Sequence, residues 1–306
     1  MHQQRPSRTA LAVALSTLYQ LCRDPGCSLN PPGSAALLAS GFARMGGLVG
    51  LLSRAAMAPA LRPIIGWSER AFLPGIFAHY LLRKHFIEHS VRALLADPRA
   101  QLVVLGAGFD TLASRLAAAC PSNLVIELDH PATQSAKRTF LEQTGSSRGP
   151  LLVACDLQIE RPSKVLHAIA RFDNTLPTIF VLEGLTMYFT PSQVHALWTD
   201  LAQTTTGHAA MLCTFMEPGP RGIAHFPRQT RIMRAWLRLV REPFAWGCSL
   251  NAMNAALSGS GWQQERLFGP GDFATSSHQL SPRDARHQPI GEYIVHATRP
   301  TISTPI

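Results

Sequence analysis

The 306-residue chain contains no Cys-x-x-Cys pair; its six cysteines, Cys22, Cys27, Cys120, Cys155, Cys213 and Cys248, are scattered singly. That spacing signals neither a zinc site nor a thioredoxin-like redox motif, and reduced thiols in a cytoplasmic protein are the expectation. Long apolar runs are lacking too. Arg44, Arg54 and Arg62 break the most apolar region, so no transmembrane span is expected. Acidic residues are scarce: 19 Asp and Glu stand against 28 Lys and Arg, a net charge of +9, and none lies between Asp24 and Glu69. Such an excess attracts acidic ligands or partners at long range. The basic residues form no aromatic-flanked cluster, however, so nucleic acid is not the expected partner. Arg5 and Arg8 precede an apolar stretch over residues 10–21, but Ser16, Thr17, Tyr19 and Gln20 interrupt it and no small-x-small site precedes Cys22. This start is therefore read as part of the fold rather than as a secretory signal.

What is present is enough apolar material for a sizeable core and a change of rhythm along the chain. Residues 24–69 read as several short helices forming a lid-like cap, their arginines facing water, an anion or a membrane surface. Helical spacing of Phe77, Leu81, Leu82, Phe86, Val91, Leu94 and Leu95 predicts a helix over 77–95, ended by Asp97-Pro98. Short apolar runs at 102–105, 124–128, 151–154, 178–182 and 211–215 then alternate with helical stretches. Strands alternating with helices imply an α/β fold with a parallel sheet covered on both faces. A helix over 249–261, a long polar loop over 269–289 and a late strand over 293–297 complete the expectation. The division expected is a cap over 1–95 and a core over 96–306 with a substrate-side insertion around 218–250, the whole forming one integrated domain.

In a doubly wound sheet, ligands bind at the carboxyl ends of strands where the strand order reverses. The first run here ends in Leu105-Gly106-Ala107-Gly108-Phe109-Asp110, where missing side chains let a ligand approach the backbone. A dinucleotide turn would carry a further glycine three residues after Gly108, but Thr111 stands there, which demotes a nicotinamide dehydrogenase. The second run ends in Asp129, 21 residues after Gly108, placed either to accept from two ribose hydroxyls or to be a solvated strand end. Asp156, followed by Leu157, and Glu183 end the third and fourth runs. Carboxylates at three successive strand ends are a set, because buried unpaired carboxylates are costly.

Together these blocks resemble the leucine carboxyl methyltransferase family, and its bacterial polyketide-type O-methyltransferase branch in particular. The resemblance rests on residues 105–111 with Arg115-Leu116, on Glu127-Leu128-Asp129-His130-Pro131-Ala132-Thr133-Gln134 with Lys137, and on Pro177-Thr178 leading to Glu183-Gly184-Leu185-Thr186-Met187-Tyr188. It implies a class I methyltransferase (Rossmann-like) fold: a mostly parallel seven-stranded sheet with an antiparallel last strand, plus an N-terminal helical cap. It implies S-adenosyl-L-methionine as cofactor and no metal. Gly106, with Gly108 and Asp110 of the same turn, would lie by its methionyl part, and Asp129 by its ribose. Asp156 and Leu157 would contact adenine, Glu183 would line the site, and Arg83 would pair with the cofactor carboxylate. The chain departs from the family pattern at Leu112, where an arginine is usual, at Ser16-Thr17-Leu18, and at Glu88-His89.

Methyl transfer is an in-line displacement governed by alignment and exclusion of water. A carboxylate acceptor, with a pKa of about 4, needs no general base; a phenol at about 10 gains from one. His85, His130 and His225 are the histidines nearest the site segments, but none has a partner at a recognisable spacing, so surface or structural roles are expected. Tyr188 either orients the acceptor or packs as a core aromatic. Arg231, Arg234, Arg238 and Arg241 are spaced 3, 4 and 3, which lines them along one helical face opposite Ile232, Trp236 and Leu239 or Val240. That face is either solvated or a dock for an acidic carrier protein. The expectation is methylation of a carboxylate or hydroxyl oxygen of a small or carrier-bound metabolite, in secondary metabolism. Methylation of a protein's C-terminal leucine and a non-catalytic binding role are the alternatives.

Overall fold

Five of the apolar runs become adjacent parallel strands in the computed structural model, which describes residues 5–142, 149–219, 222–276, 280 and 291–299. They are β1 (Gln101–Leu105), β2 (Val125–Asp129), β3 (Leu151–Ala154), β4 (Thr178–Leu182) and β5 (Ala209–Met216). With β6 (Gln263–Phe268) and β7 (Glu292–Thr298) they form a seven-stranded sheet in the order β3-β2-β1-β4-β5-β7-β6. β7 runs antiparallel to both neighbours. The order reverses between β1 and β4, whose registers align Leu102 with Ile179 and Val104 with Val181. A ligand crevice belongs at that point.

β1, β2, β4 and β5 are buried along their whole length, which is why they are written as unbroken apolar runs rather than as alternating ones. Alternate residues then feed two cores. Val103, Leu105, Phe180 and Leu182 face one, with Trp198 and Trp262; Leu102, Val104, Ile179 and Val181 face the other.

Five helices precede the sheet: α1 (Arg8–Arg23), α2 (Ser34–Met45), α3 (Gly47–Met57), α4 (Arg62–Phe72) and α5 (Ile76–Leu94). The first starts at Ser7, whose hydroxyl accepts from Ala10 N–H. Glu242, far along the chain, accepts from the backbone N–H groups of Arg8 and Thr9 and from the Ser7 hydroxyl. A carboxylate at a helix N-terminus complements the unpaired N–H groups and the dipole there, so this residue ties the cap to the segment after β5. Between and after the strands lie α6 (Leu112–Ala119), α7 (Pro131–Leu141), α8 (Pro162–His167), α9 (Pro191–Thr204), α10 (Arg231–Leu239), α11 (Leu250–Gly259) and α12 (Pro270–Ser276).

Three differences from the sequence expectation have physical causes. β6 was not foreseen because it is polar over Gln263-Gln264-Glu265-Arg266; it is an edge strand with much of its length exposed, so it lacks the apolar signature of a central strand. Where a loop was expected over 269–289, residues 270–276 form a helix with Asp272 accepting from Gly269 N–H; 277–279 and 281–289 lie outside the described residues. Finally, α10 packs through Met233 and Leu237, while Ile232 and Leu239 point outward and Arg241 falls beyond the helix at φ 60°.

Candidate active site

A cavity of about 560 Å³ opens at the carboxyl ends of β1, β2 and β4, roofed by α1, α4 and the segment from Met233 to Ala245. Its volume is within the range of roughly 300–1,000 Å³ that ligand clefts span. The floor is the turn after β1. Gly106 (φ 65°) and Gly108 (φ 52°) both hold left-handed backbone, and a Cβ at Gly106 would fall 2.7 Å from a Leu185 methyl. Any other residue here would be strained by its backbone and would collide with Leu185.

Gly108 N–H donates to one oxygen of Asp129 and His130 N–H to the other, each at 2.6 Å. Burial pushes the Asp129 carboxyl above its usual range, against the pull of those two N–H groups. The carboxylate is thus fixed in the cavity wall. Asp110 closes the turn: its side chain accepts from Leu112 N–H at 2.8 Å, at the start of α6. Burial opposes its ionisation, but Lys84 holds its carboxyl well below the ordinary range.

Behind the turn lies a buried charge network that α5 delivers. Arg83 donates to Glu183 through Nε at 3.0 Å and to Glu292 through Nη1 at 2.9 Å. Lys84 pairs with Asp110 and, at 3.0 Å, with Glu183. His79, fully buried, meets the other oxygen of Glu292 at 2.5 Å. Two adjacent helix residues serve two carboxylates each because the turn after β1 (Asp110), the end of β4 (Glu183) and the start of β7 (Glu292) all meet α5. Burial disfavours charge on Arg83 and Lys84, yet both titrate higher than usual because of their carboxylate neighbours.

Burial alone would raise the Glu292 carboxyl, but Arg83 and His79 bring it down to about 2. A folded pKa below the unfolded one adds stability above the ordinary value of 4.5, and that stability is lost as pH falls toward 2. Wild type is therefore expected to lose on the order of 3 kcal/mol more than Glu292→Gln between about pH 5 and pH 2. Urea denaturation of both proteins across that range measures it; parallel pH profiles would disprove the assignment.

The sequence-expected residues divide into two groups. Arg83, Gly106, Gly108, Asp110, Asp129, Glu183 and Tyr188 all line the one cavity. Asp156 and Leu157 do not: Asp156 accepts from Gln158 N–H at 3.1 Å, Leu157 packs on the core, and it is Gln158 that reaches the cavity. His85 stacks on His89, and the ring of His130 accepts from Ala132 N–H at the start of α7. Neither of these, nor His225, lines the cavity. Tyr188 does, beside Tyr80; burial pushes both phenols far above their usual range, so they stay protonated.

Sequence reading missed Lys84, His79 and Glu292. Lys84 stands next to Arg83 on a stretch read as a helix, and residues about 100° apart can both face water, so the spacing did not mark it as buried. Nothing in the sequence connects Glu292 to them, since it comes 209 residues after Arg83.

The sheet order with its antiparallel β7 is that of the class I methyltransferase fold. A methyltransferase structure from Thermobifida fusca aligns over 85% of this chain and 94% of its own, with a TM-score of 0.55 at 15% identity. A Streptomyces avermitilis protein aligns over 86% and 97%, also with a TM-score of 0.55. The model of the leucine carboxyl methyltransferase family matches residues 38–202, and the chain belongs to that family. Among its relatives is a Mycobacterium marinum protein assigned as an S-adenosyl-L-methionine-dependent methyltransferase, 29% identical over 161 residues, which are 52% of either chain. Rat tRNA wybutosine-synthesizing protein 4 is 30% identical over 54% of this chain and 28% of its own length. The chain spans about half the length of the first of these relatives.

Proposed function

We propose that the protein is an S-adenosyl-L-methionine-dependent O-methyltransferase acting on a carboxylate, or alternatively a hydroxyl, of a small or carrier-bound metabolite, in the cytoplasm. The observation that carries the reading is the convergence of the Gly106–Gly108 turn, the Asp129 carboxylate and the Arg83–Glu183 pair in one cavity. The residues fit this cofactor by their chemistry. An amino-acid zwitterion needs both signs close together, and Arg83 and Lys84 offer cations to its carboxylate where Glu183 offers an anion to its ammonium group. Asp129, with its backbone donors already in place, has free lone pairs for two ribose hydroxyls. The turn itself lines the cavity, with Gly106, Ala107 and Gly108 all on its wall. Gln158, which reaches the cavity, is assigned to the adenine edge in place of Asp156 and Leu157, which do not line it.

When bound, S-adenosyl-L-methionine supplies a methyl group activated by a sulfonium. The chain's part is to hold the acceptor in line with it and to exclude water. The wall on the acceptor side is apolar, with Phe72, Phe77, Met187, Phe226, Met233 and Trp236. Tyr80 and Tyr188, kept protonated, donate hydrogen bonds that orient an acceptor oxygen. Among the described residues no histidine lines this cavity, and this favours an acceptor that is already ionised over a phenol.

Calorimetric titration with S-adenosyl-L-methionine tests the first half, with competition by a nicotinamide dinucleotide as control. Absence of saturable binding at millimolar ligand, or displacement by the dinucleotide, would overturn it. The second half is tested by mass spectrometry of metabolite extracts incubated with protein and cofactor. A product heavier by one methylene is the expected result, and bound cofactor without any methylated product would leave a non-catalytic protein.

A further inference from the structure

Two segments after Asp24 are basic and free of acid. Residues 25–68 contain three arginines, residues 218–241 contain six, and neither contains an acidic residue; these nine equal the net charge of the whole chain, +9. The remainder is balanced. The same two segments carry most of the large apolar side chains that protrude among the described residues. Leu48 (70% exposed), Leu51 and Leu52 stand on α3, and Ile64 and Trp67 (65%) on α4. Ile232 and Leu239 (76%) stand on α10, between the exposed Arg231, Arg234 and Arg238.

The helices are joined in space. Phe72 of α4 meets Trp236 of α10 edge to face, and the Thr230 hydroxyl before α10 donates to the carbonyls of Ala71 and Phe72. Arg62, at the start of α4, donates to Cys22 O in the last turn of α1, on which α3 also packs. Inward, α4 and α10 line the cavity with Phe72, Met233 and Trp236. Outward, they present the arginines and the protruding apolar groups. α3 and the stretch 59–72 are together apolar enough to resemble a membrane span, but they are bent by 84° at their junction, a shape suited to lying along a surface rather than crossing a bilayer.

We propose that the outward faces of α3, α4 and α10 dock on an anionic phospholipid surface. Leucine, isoleucine and tryptophan interleaved with arginine, without any acid, match a helix lying in the lipid interface. There the indole and the guanidinium groups sit at headgroup level and the aliphatic groups insert. A merely solvated face would not expose so much apolar surface. An acidic protein partner is the rival occupant of such a face, since protein interfaces also bury apolar groups beside arginine, and the carrier-protein arm of the test below separates the two. If the methyl-transfer reading also holds, an amphiphilic acceptor passes from the lipid into the cavity between α4 and α10.

Sedimentation with vesicles tests this in full-length protein. Association with phosphatidylglycerol-containing vesicles is expected to exceed that with pure phosphatidylcholine by at least about tenfold at low salt, and to weaken at high salt. The Ile64→Ser/Trp67→Ser and Arg231→Gln/Arg234→Gln/Arg238→Gln variants should each lose most of that association while keeping the wild-type thermal melt and cofactor affinity. Equal binding to both vesicle types overturns the proposal. So does saturable binding of a purified acidic acyl-carrier protein by a chain that ignores vesicles. Vesicle binding by a protein that does not bind S-adenosyl-L-methionine would sustain the docking face and remove the function proposed above. Should the variants unfold, the lipid and salt comparison on wild type still decides.

Discussion

Arg83→Ala is expected to abolish measurable binding of S-adenosyl-L-methionine and to lower stability by about 3–5 kcal/mol, the usual cost of removing one partner from a buried ion pair. The guanidinium bridges Glu183 and Glu292, and all three side chains are almost wholly shielded from water. Without it, among the described residues Glu292 keeps His79 and Glu183 keeps Lys84 as charged partners. Arg83→Lys separates the two effects. It retains the charge but not the planar fork that reaches two carboxylates at once. Most of the stability should therefore return, while affinity for the cofactor stays at least about tenfold below wild type. Urea denaturation and calorimetry on the three proteins measure both quantities. Wild-type stability in Arg83→Ala would show that the network does not hold α5 against the sheet, and wild-type affinity would remove Arg83 from the cofactor site.

The central strands were legible because burial on both faces leaves an unbroken apolar signature, as in Leu102-Val103-Val104-Leu105. The edge was not, because β6 is written mostly in Gln, Glu and Arg, with only Leu267 and Phe268 at its end packing on the cores, and is held along its length by pairing with β7. The site was legible where its residues end strands: Gly106, Asp129 and Glu183 sit at fixed offsets from apolar runs, and the topology brings those ends together. The Arg83 assignment came from family resemblance alone; the structure places the residue beside Glu183 in the cavity wall. His79, Lys84 and Glu292 were hidden because their partners are distant in sequence and charge pairing leaves no periodic trace. The outward turn of Ile232 and Leu239 was hidden for a related reason. Spacing defines which residues of α10 share a face, but not which of two mixed faces the neighbouring α4 covers.

Asp129→Asn is expected to behave in the opposite way from Arg83→Ala, losing affinity with little loss of stability. The Asp129 carboxyl titrates above its ordinary range because of burial, although Gly108 and His130 donate to it. A folded pKa raised above the unfolded one means that, at neutral pH, the ionised group opposes folding. Removing the charge relieves that opposition and partly offsets the bond lost where the amide nitrogen, a donor only, faces Gly108 or His130 N–H, so the change in stability should be within about 2 kcal/mol. Affinity for S-adenosyl-L-methionine, by contrast, should fall by about 100-fold, since the carboxylate's two acceptor oxygens for the ribose hydroxyls are reduced to one neutral amide oxygen. A carboxylate that folding disfavours and a ligand would need is the pattern of a residue placed for binding at some expense to the fold. Calorimetry and denaturation on the same preparation decide it. A variant that loses several kcal/mol of stability while binding the cofactor like wild type would make Asp129 a structural brace for the Gly106–Gly108 turn instead.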